Sequence, residues 1–219
     1  MFFVNTQRLD YLKGKQMHLW LDIETTGLDP KHDKILEVAW FMTDRNLIEA
    51  TPYNTSFVRT DYEEIHNLLS VDSYVLDMHT KSGLLENFAN AYAGGGNQML
   101  LIEDIEDLII KDIDAQEEEV VLAGASVHFD RSFIAEYMPR LDRRLSHRHL
   151  DTSAIRMMMK ACNVGYPDTM SGIKHRALDD IIDTHKMAKA YYKFISEAVP
   201  LMIARSMPPK KADNTSWVQ

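Results

Sequence analysis

Apolar residues cluster in short runs at the start of the chain and recur at helical spacing further along. Leu19, Trp20, Leu21 and Ile23 lie almost consecutively, so His18 to Glu24 reads as a buried strand. Gly27 and Pro30 mark Thr25 to Pro30 as a turn. Ile35 to Met42 and Tyr53 to Val58 read as two further strands of a meander. Helical periodicity then takes over around Glu63 to Leu69 and Gly83 to Tyr92, and Gly94 to Gly96 forms a loop. From Met99 to Ile113 apolar residues stand at helical spacing with acids between them. Val120 to Ala123 reads as a short buried strand. Asp130 to Met138, Thr152 to Ala161 and Ala177 to Ile195 read as helices. Strands first, then strands interleaved with helices, predict an α/β fold: a mixed sheet covered by helices. Residues 1–16 are expected to be an N-terminal extension, 17–205 one folded domain and 206–219 a flexible tail.

Composition narrows the function classes. A chain of 219 residues with 45% apolar residues can bury the core of one substantial domain. Its 24 basic and 33 acidic residues give a net charge of -9, which argues against broad contact with a long polyanion. Nucleic acid held in a small cleft through bound cations stays open, because cations reverse the local sign. A single cysteine, Cys162, excludes an intramolecular disulfide and a cysteine-rich zinc site, and fits a reducing compartment; the expected location is cytoplasmic. MFFVNTQRLD lacks the basic start and long apolar stretch of a signal peptide. No run approaches the ~20 apolar residues that span a bilayer, so no membrane partner is expected.

Carboxylates inside the first strand raise the main chemical question. Side chains alternate along a strand, so Asp22 and Glu24 share a face with Trp20, their Cα atoms ~6.6 Å apart. Two carboxylates at that spacing can bind hard cations such as magnesium or manganese. Taken alone, the pair reads equally as solvated acids on an edge strand. Asp130, in GASVHFDRSFIAEYM, falls at a strand-to-helix junction, where an acid also serves as an N-cap. In KHRALDDIIDTHKMAKAYY the buried face comprises Leu178, Ile181, Ile182, His185 and Tyr192. Asp180 lies at the edge of that face; Asp179 lies further round, outside, with Asp183 and Lys186. His175, just ahead of this helix, is either a base or a surface histidine. Met157, Met158 and Met159 read as core and gap filling, and His185 as a packed histidine. Glu103, Asp104, Glu106, Asp107 and 117–119 read as solvated faces.

Three coordinated segments carry a resemblance: Asp22 and Glu24 as D-x-E, Asp130 in S-V-H-F-D-R-S-F, and H-R-A-L-D-D from His175 to Asp180. Together they resemble the DEDDh family of 3′-to-5′ exonucleases. D-x-E-x-T-G-L-D-P, H-x-x-S-G-L (His79 to Leu84) and R-x-L-D-x-S (Arg148 to Ser153) are similar to the oligoribonucleases within it. The likeness covers roughly residues 17–196, and it would make 17–205 an exonuclease domain. It implies a ribonuclease H-like fold with a five-stranded mixed sheet flanked by helices. It also implies two Mg2+ or Mn2+ ions held by Asp22, Glu24, Asp130 and Asp180, with His175 as the base. The expected reaction is 3′-to-5′ degradation of very short RNA, from dinucleotides to about five nucleotides, to nucleoside 5′-monophosphates. Single-stranded DNA is the alternative substrate. By the same resemblance Leu28 would wedge against the terminal base, and Tyr74 stands where the family stacks a tryptophan. His79 would also be a substrate residue, and Ser126, Arg148 and Ser153 would cap a 5′ phosphate. A homodimer is the family habit. Tyr74 reads equally as cover for an apolar cluster, and Arg148 as half of a surface ion pair. Ala125, Phe129 and His147 depart from the oligoribonuclease pattern, which has asparagine, glutamine and tyrosine there; Phe129 is closer to proofreading exonucleases.

Overall fold

The computed structural model describes residues 16–96, 98–116, 118–163 and 174–206, with side chains described as far as residue 198. Apart from Gln16 and Ser206, the expected extension and tail lie outside the described residues.

Six strands form one sheet: β1 (Gln16–Thr25), β2 (Ile35–Thr43), β3 (Asn54–Val58), β4 (Met99–Leu100), β5 (Glu119–Gly124) and β6 (Leu145–Asp151), in the order β4-β3-β2-β1-β5-β6. β1 and β3 run antiparallel to β2. β5 pairs parallel with β1 and β6, and β4 parallel with β3, so the sheet is mixed as expected. Among the described residues the helices are α1 (Tyr62–Val71), α2 (Ser73–Lys81), α3 (Leu84–Tyr92), α4 (Ile102–Asp114), α5 (His128–Tyr137), α6 (Pro139–Arg144), α7 (Thr152–Ala161) and α8 (Ala177–Ser206).

The two faces of β1 explain the layers. Leu19, Leu21 and Ile23 pack with Ile105 and Ile109 of α4 and with Phe133 and Ile134 of α5. On the other face Trp20 packs with Ala39, Phe41, Ala123 and, from α8, Ala177 and Ile181. By strand alternation Asp22 and Glu24 therefore point to the α8 side. Leu36 and Phe57 meet α1, α2 and α3 through Ile65, Leu69, Val75, Leu84 and Phe88.

The sheet has six strands rather than five because Met99–Leu100, read as the start of a helix, extends beside β3 before α4 begins. β6 escaped the periodicity because three central residues, His147, Arg148 and His149, are exposed on an edge strand and carry no apolar alternation. α2 escaped it because only Val75 and His79 are buried. Its start is nonetheless legible: Asp72 accepts from the backbone N–H groups of Tyr74 and Val75. α6 is a six-residue helix opened by Pro139.

Several side chains differ from expectation. Met157 and Met158 are exposed, and only Met159 of that trio packs inward, against Met187 and Tyr191. Tyr192 is exposed, with Tyr191 buried in its place. Asp183 is buried and paired with Lys186 at 2.8 Å. Glu106 is buried because it accepts from the backbone N–H groups of Arg140 (2.6 Å) and Leu141 (2.9 Å) at the start of α6. Each polar group turns inward where a specific donor waits for it, which helical periodicity alone does not record.

Candidate active site

The acidic residues reach one region from three elements. Asp22 and Glu24 leave the end of β1 beside α8. Asp130 is the third residue of α5, so it is not the N-cap; Val127 holds that position. Its Oδ1 accepts from the backbone N–H of Ile23 at 3.3 Å, which ties α5 to β1 between the other two acids. Asp180 sits in the first turn of α8. Its Oδ1 accepts from Lys174 N at 3.0 Å and its Oδ2 from Arg176 N at 3.3 Å.

Electrostatics show how closely the acids sense one another. Burial pushes the Asp22 carboxyl well above the usual carboxylate range, and Asp130, Glu24 and Asp180 push it further. Burial raises Glu24 to about 8, with repulsion from Asp180 and Glu37 adding and Arg176 opposing. Asp130 is also raised to about 8 by burial, although its backbone hydrogen bonds pull the other way. A group of buried carboxylates with so little counter-charge is a strong site for a cation.

His79 adds to the same imbalance. It is fully buried, and its Nε2 donates to the carbonyl of Thr25 at 2.8 Å. Nδ1 has no hydrogen-bond partner and faces Glu24 Oε2 at 3.8 Å. A lone pair facing a carboxylate is repulsive unless positive charge stands close by. The all-oxygen donor set fits a hard divalent ion. Among the described residues, no three of the acids and histidines close into a ready-made cage.

His175 precedes α8 with a left-handed backbone, φ 53°. It lines an open cleft of about 610 Å³ together with Tyr74, Met78, Lys81, Lys174 and Asp179. Tyr74 is 73% exposed, so the structure brings it to the same cleft as His175 with its ring free. Leu28 is 81% exposed at the tip of the turn after β1. That turn is tightened by Asp33, which accepts from Thr26 Oγ1 and Asp29 N, both at 2.9 Å. A Cβ on Gly27 would stand 2.5 Å from the Asp33 carboxylate, so a larger residue there would push Asp33 away from Thr26 and Asp29.

Ser126 and Ser153 meet at the ends of β5 and β6, their hydroxyl oxygens 3.4 Å apart, with Ser126 N donating to Asp151 at 3.2 Å. Arg148 is exposed on β6, three residues before Asp151, or about 10 Å along the strand. His79 lies inside the protein rather than on the cleft wall.

The structure adds two residues that the motif reading passed over, Glu37 and Arg176. Glu37 stands opposite Glu24 in the β1–β2 ladder and is buried. Its signal was present: an acid inside a strand otherwise apolar from Ile35 to Met42 raises the same question as Asp22 and Glu24.

Over residues 19–188 the chain matches the RNase_T family, described as Exonuclease. It is 33% identical to an oligoribonuclease of Corynebacterium glutamicum (strain R) over 189 residues, 83% of this chain and 82% of that protein. It is 31% identical to an oligoribonuclease of Chromobacterium violaceum over 178 residues, 79% of this chain and 92% of that protein. Among solved structures, exonuclease I of Methylocaldum szegediense superposes with a TM-score of 0.57 at 17% identity, covering 83% of this chain and 43% of that one. A zinc-bound exonuclease I–single-stranded DNA complex of E. coli gives 0.60 at 14% identity, covering 87% and 43%. This chain thus spans less than half the length of those exonuclease I chains. At such identity the likeness carries the fold, a ribonuclease H-like mixed sheet flanked by helices.

Proposed function

This chain belongs to the Exonuclease family and is a 3′-to-5′ exonuclease of the oligoribonuclease type, and from that premise we propose that it degrades very short RNA in a metal-dependent reaction. The substrates run from dinucleotides to about five nucleotides, and the products are nucleoside 5′-monophosphates. The observation that carries the reading is the convergence of Asp22, Glu24, Asp130 and Asp180, from three elements, beside the cleft that holds His175 and Tyr74.

Asp22, Glu24, Asp130 and Asp180 would hold two divalent cations, Mg2+ or Mn2+, which would acidify the attacking water and stabilise the leaving 3′ oxygen. His175 takes the proton from the attacking water on a ring nitrogen. The water oxygen bonds to phosphorus as the P–O3′ bond breaks. Tyr74 offers a face for a base, and such stacking is worth about 1–3 kcal/mol. Leu28, apolar and exposed, separates that base from its neighbour. Ser126 and Ser153 present hydroxyls to a terminal 5′ phosphate. Arg148, about 10 Å down β6 from Asp151, serves the equivalent phosphate of a second copy in a homodimer. His79 backs Glu24 from within, its Nδ1 facing that carboxylate across 3.8 Å. Residues 17–205 form the catalytic domain, and the protein works in the cytoplasm. Among the described residues no helix is long and apolar enough to cross a membrane.

Phe129 favours a second substrate, single-stranded DNA. It precedes Asp130 and packs on Phe133 with ring centroids 5.2 Å apart, where the oligoribonuclease pattern has a polar glutamine. Purified protein with Mn2+ or Mg2+ and 5′-labelled RNA of two, three, five and twenty nucleotides, with DNA in parallel, separates the readings. Fastest loss of dinucleotides, abolished by EDTA and by Asp22→Ala, supports the first. Equal trimming of long strands, or preference for DNA, refutes it.

A further inference from the structure

We propose that the buried Glu37–Arg176 ion pair is a positioning clamp that sets the catalytic geometry of His175. The inference rests on the exonuclease reading of the site.

Glu37 lies on β2 and is 2% exposed. It accepts from Arg176 Nη2 at 2.9 Å and Nε at 3.3 Å, so the guanidinium engages both carboxylate oxygens. It also accepts from the backbone N–H of Ala177 at 3.0 Å, the first residue of α8. Arg176 lies over the ring of Phe57, 5.9 Å from its centroid, a second contact for the guanidinium. The residue just before Arg176 is His175.

The backbone at His175 is left-handed, a conformation that is unfavourable for a residue with a Cβ. It persists only if its neighbours are held. Two carboxylates hold them. Asp180 accepts from the N–H groups of Lys174 and Arg176, one on each side of His175. Glu37 grips the Arg176 side chain and the Ala177 N–H. The imidazole is thereby aimed from β2, the strand directly beside the one that carries Asp22 and Glu24.

The choice of an ion pair is itself informative. Buried pairs are commonly neutral or destabilising relative to apolar residues of similar volume. A hydrophobic pair would cap this face of the sheet as well, but it would not fix the angle of the loop. Arg176 also occupies Glu37, which stands opposite Glu24 and would otherwise be a fifth free carboxylate among the acids.

The test compares four proteins on a labelled dinucleotide: the parent, the charge-neutral double variant Glu37→Leu/Arg176→Met, His175→Ala, and all three substitutions together. Thermal melts establish that each is folded, and a parent inactive on every oligonucleotide would refute the exonuclease reading rather than the clamp. In the His175-containing background the double variant should lower kcat about 10- to 100-fold with KM changed less than about 3-fold. In the His175→Ala background the same pair should change kcat less than about 2-fold, because a device that acts through His175 has nothing left to position. Equal losses in both backgrounds would overturn the proposal, since the pair would then act through the fold or the acids. No loss in either would overturn it as well. Should the double variant fail to fold, Arg176→Lys, which keeps the charge without the two-pronged grip, takes its place in the same cycle with the same criteria.

Discussion

Removing divalent cations should make this protein less stable as pH rises from 7 to 8.5, the reverse of what carboxylates usually do. In the cation-free fold Glu24 and Asp130 each titrate at about 8, whereas in the unfolded chain they have released their protons by about pH 5. The folded state therefore binds more protons than the unfolded state across this window, and stability falls as pH rises. A carboxyl with a folded pKa of about 8 loses about 1.3 kcal/mol between pH 7 and 8.5, so the two together lose about 2.5 kcal/mol. For a chain of this size that is a fall in Tm of roughly 5–10 °C. The buried histidines His18, His79 and His185, all lowered chiefly by burial, act in the opposite sense. They remove stability as pH falls below about 6.5, so a window that opens at pH 7 excludes them. The assay is a thermal melt of EDTA-dialysed protein at several pH values, repeated with saturating Mn2+. With the cation bound, the trend should vanish or invert, because binding needs the deprotonated carboxylates. Glu24→Gln/Asp130→Asn should flatten the cation-free curve. A cation-free Tm that stays level or climbs between pH 7 and 8.5 would refute the claim that burial holds these acids protonated near neutral pH.

Strands were legible where both faces are buried. β1 and β2 are nearly continuous apolar runs interrupted by acids, and β5 is short but wholly apolar beyond its first residue. β6 was not legible, because an edge strand needs no apolar alternation, and its residues His147 to His149 are exposed. The four acids stand out through their order and spacing, and the fold brings Asp22, Glu24, Asp130 and Asp180 close enough to raise one another. Glu37 obeys the same logic but was passed over, because no second acid lies two residues away from it. His79 illustrates a different limit. A motif can give its position, but only the fold shows its Nε2 on the Thr25 carbonyl and its Nδ1 facing Glu24.

Tyr74→Ala should raise KM for a dinucleotide about 5- to 100-fold with little change in Tm, since the ring is exposed and its stacking is worth about 1–3 kcal/mol; an unchanged KM in steady-state assays would place the base elsewhere. Glu106→Ala should cost about 2–4 kcal/mol by urea denaturation without altering dinucleotide specificity. It strands the backbone N–H groups of Arg140 and Leu141, whereas the Arg140 guanidinium keeps Asp107 at 2.7 Å. A loss below about 0.5 kcal/mol would show that water replaces the carboxylate. Arg148 gives the sharpest test of the homodimer. Ser126 and Ser153 sit together at the strand ends, but Arg148 stands about 10 Å back along β6, exposed and on an open edge. If it reaches the site of a second copy, a dimer of one Asp22→Ala chain and one Arg148→Ala chain holds one complete site: acids from the second chain, arginine from the first. Co-expressed and purified as a mixed dimer, the two inactive or impaired chains should recover about half the parental dinucleotide rate. If Arg148 serves its own chain, the mixed dimer holds no complete site, and its rate should not exceed the mean of the two parent variants.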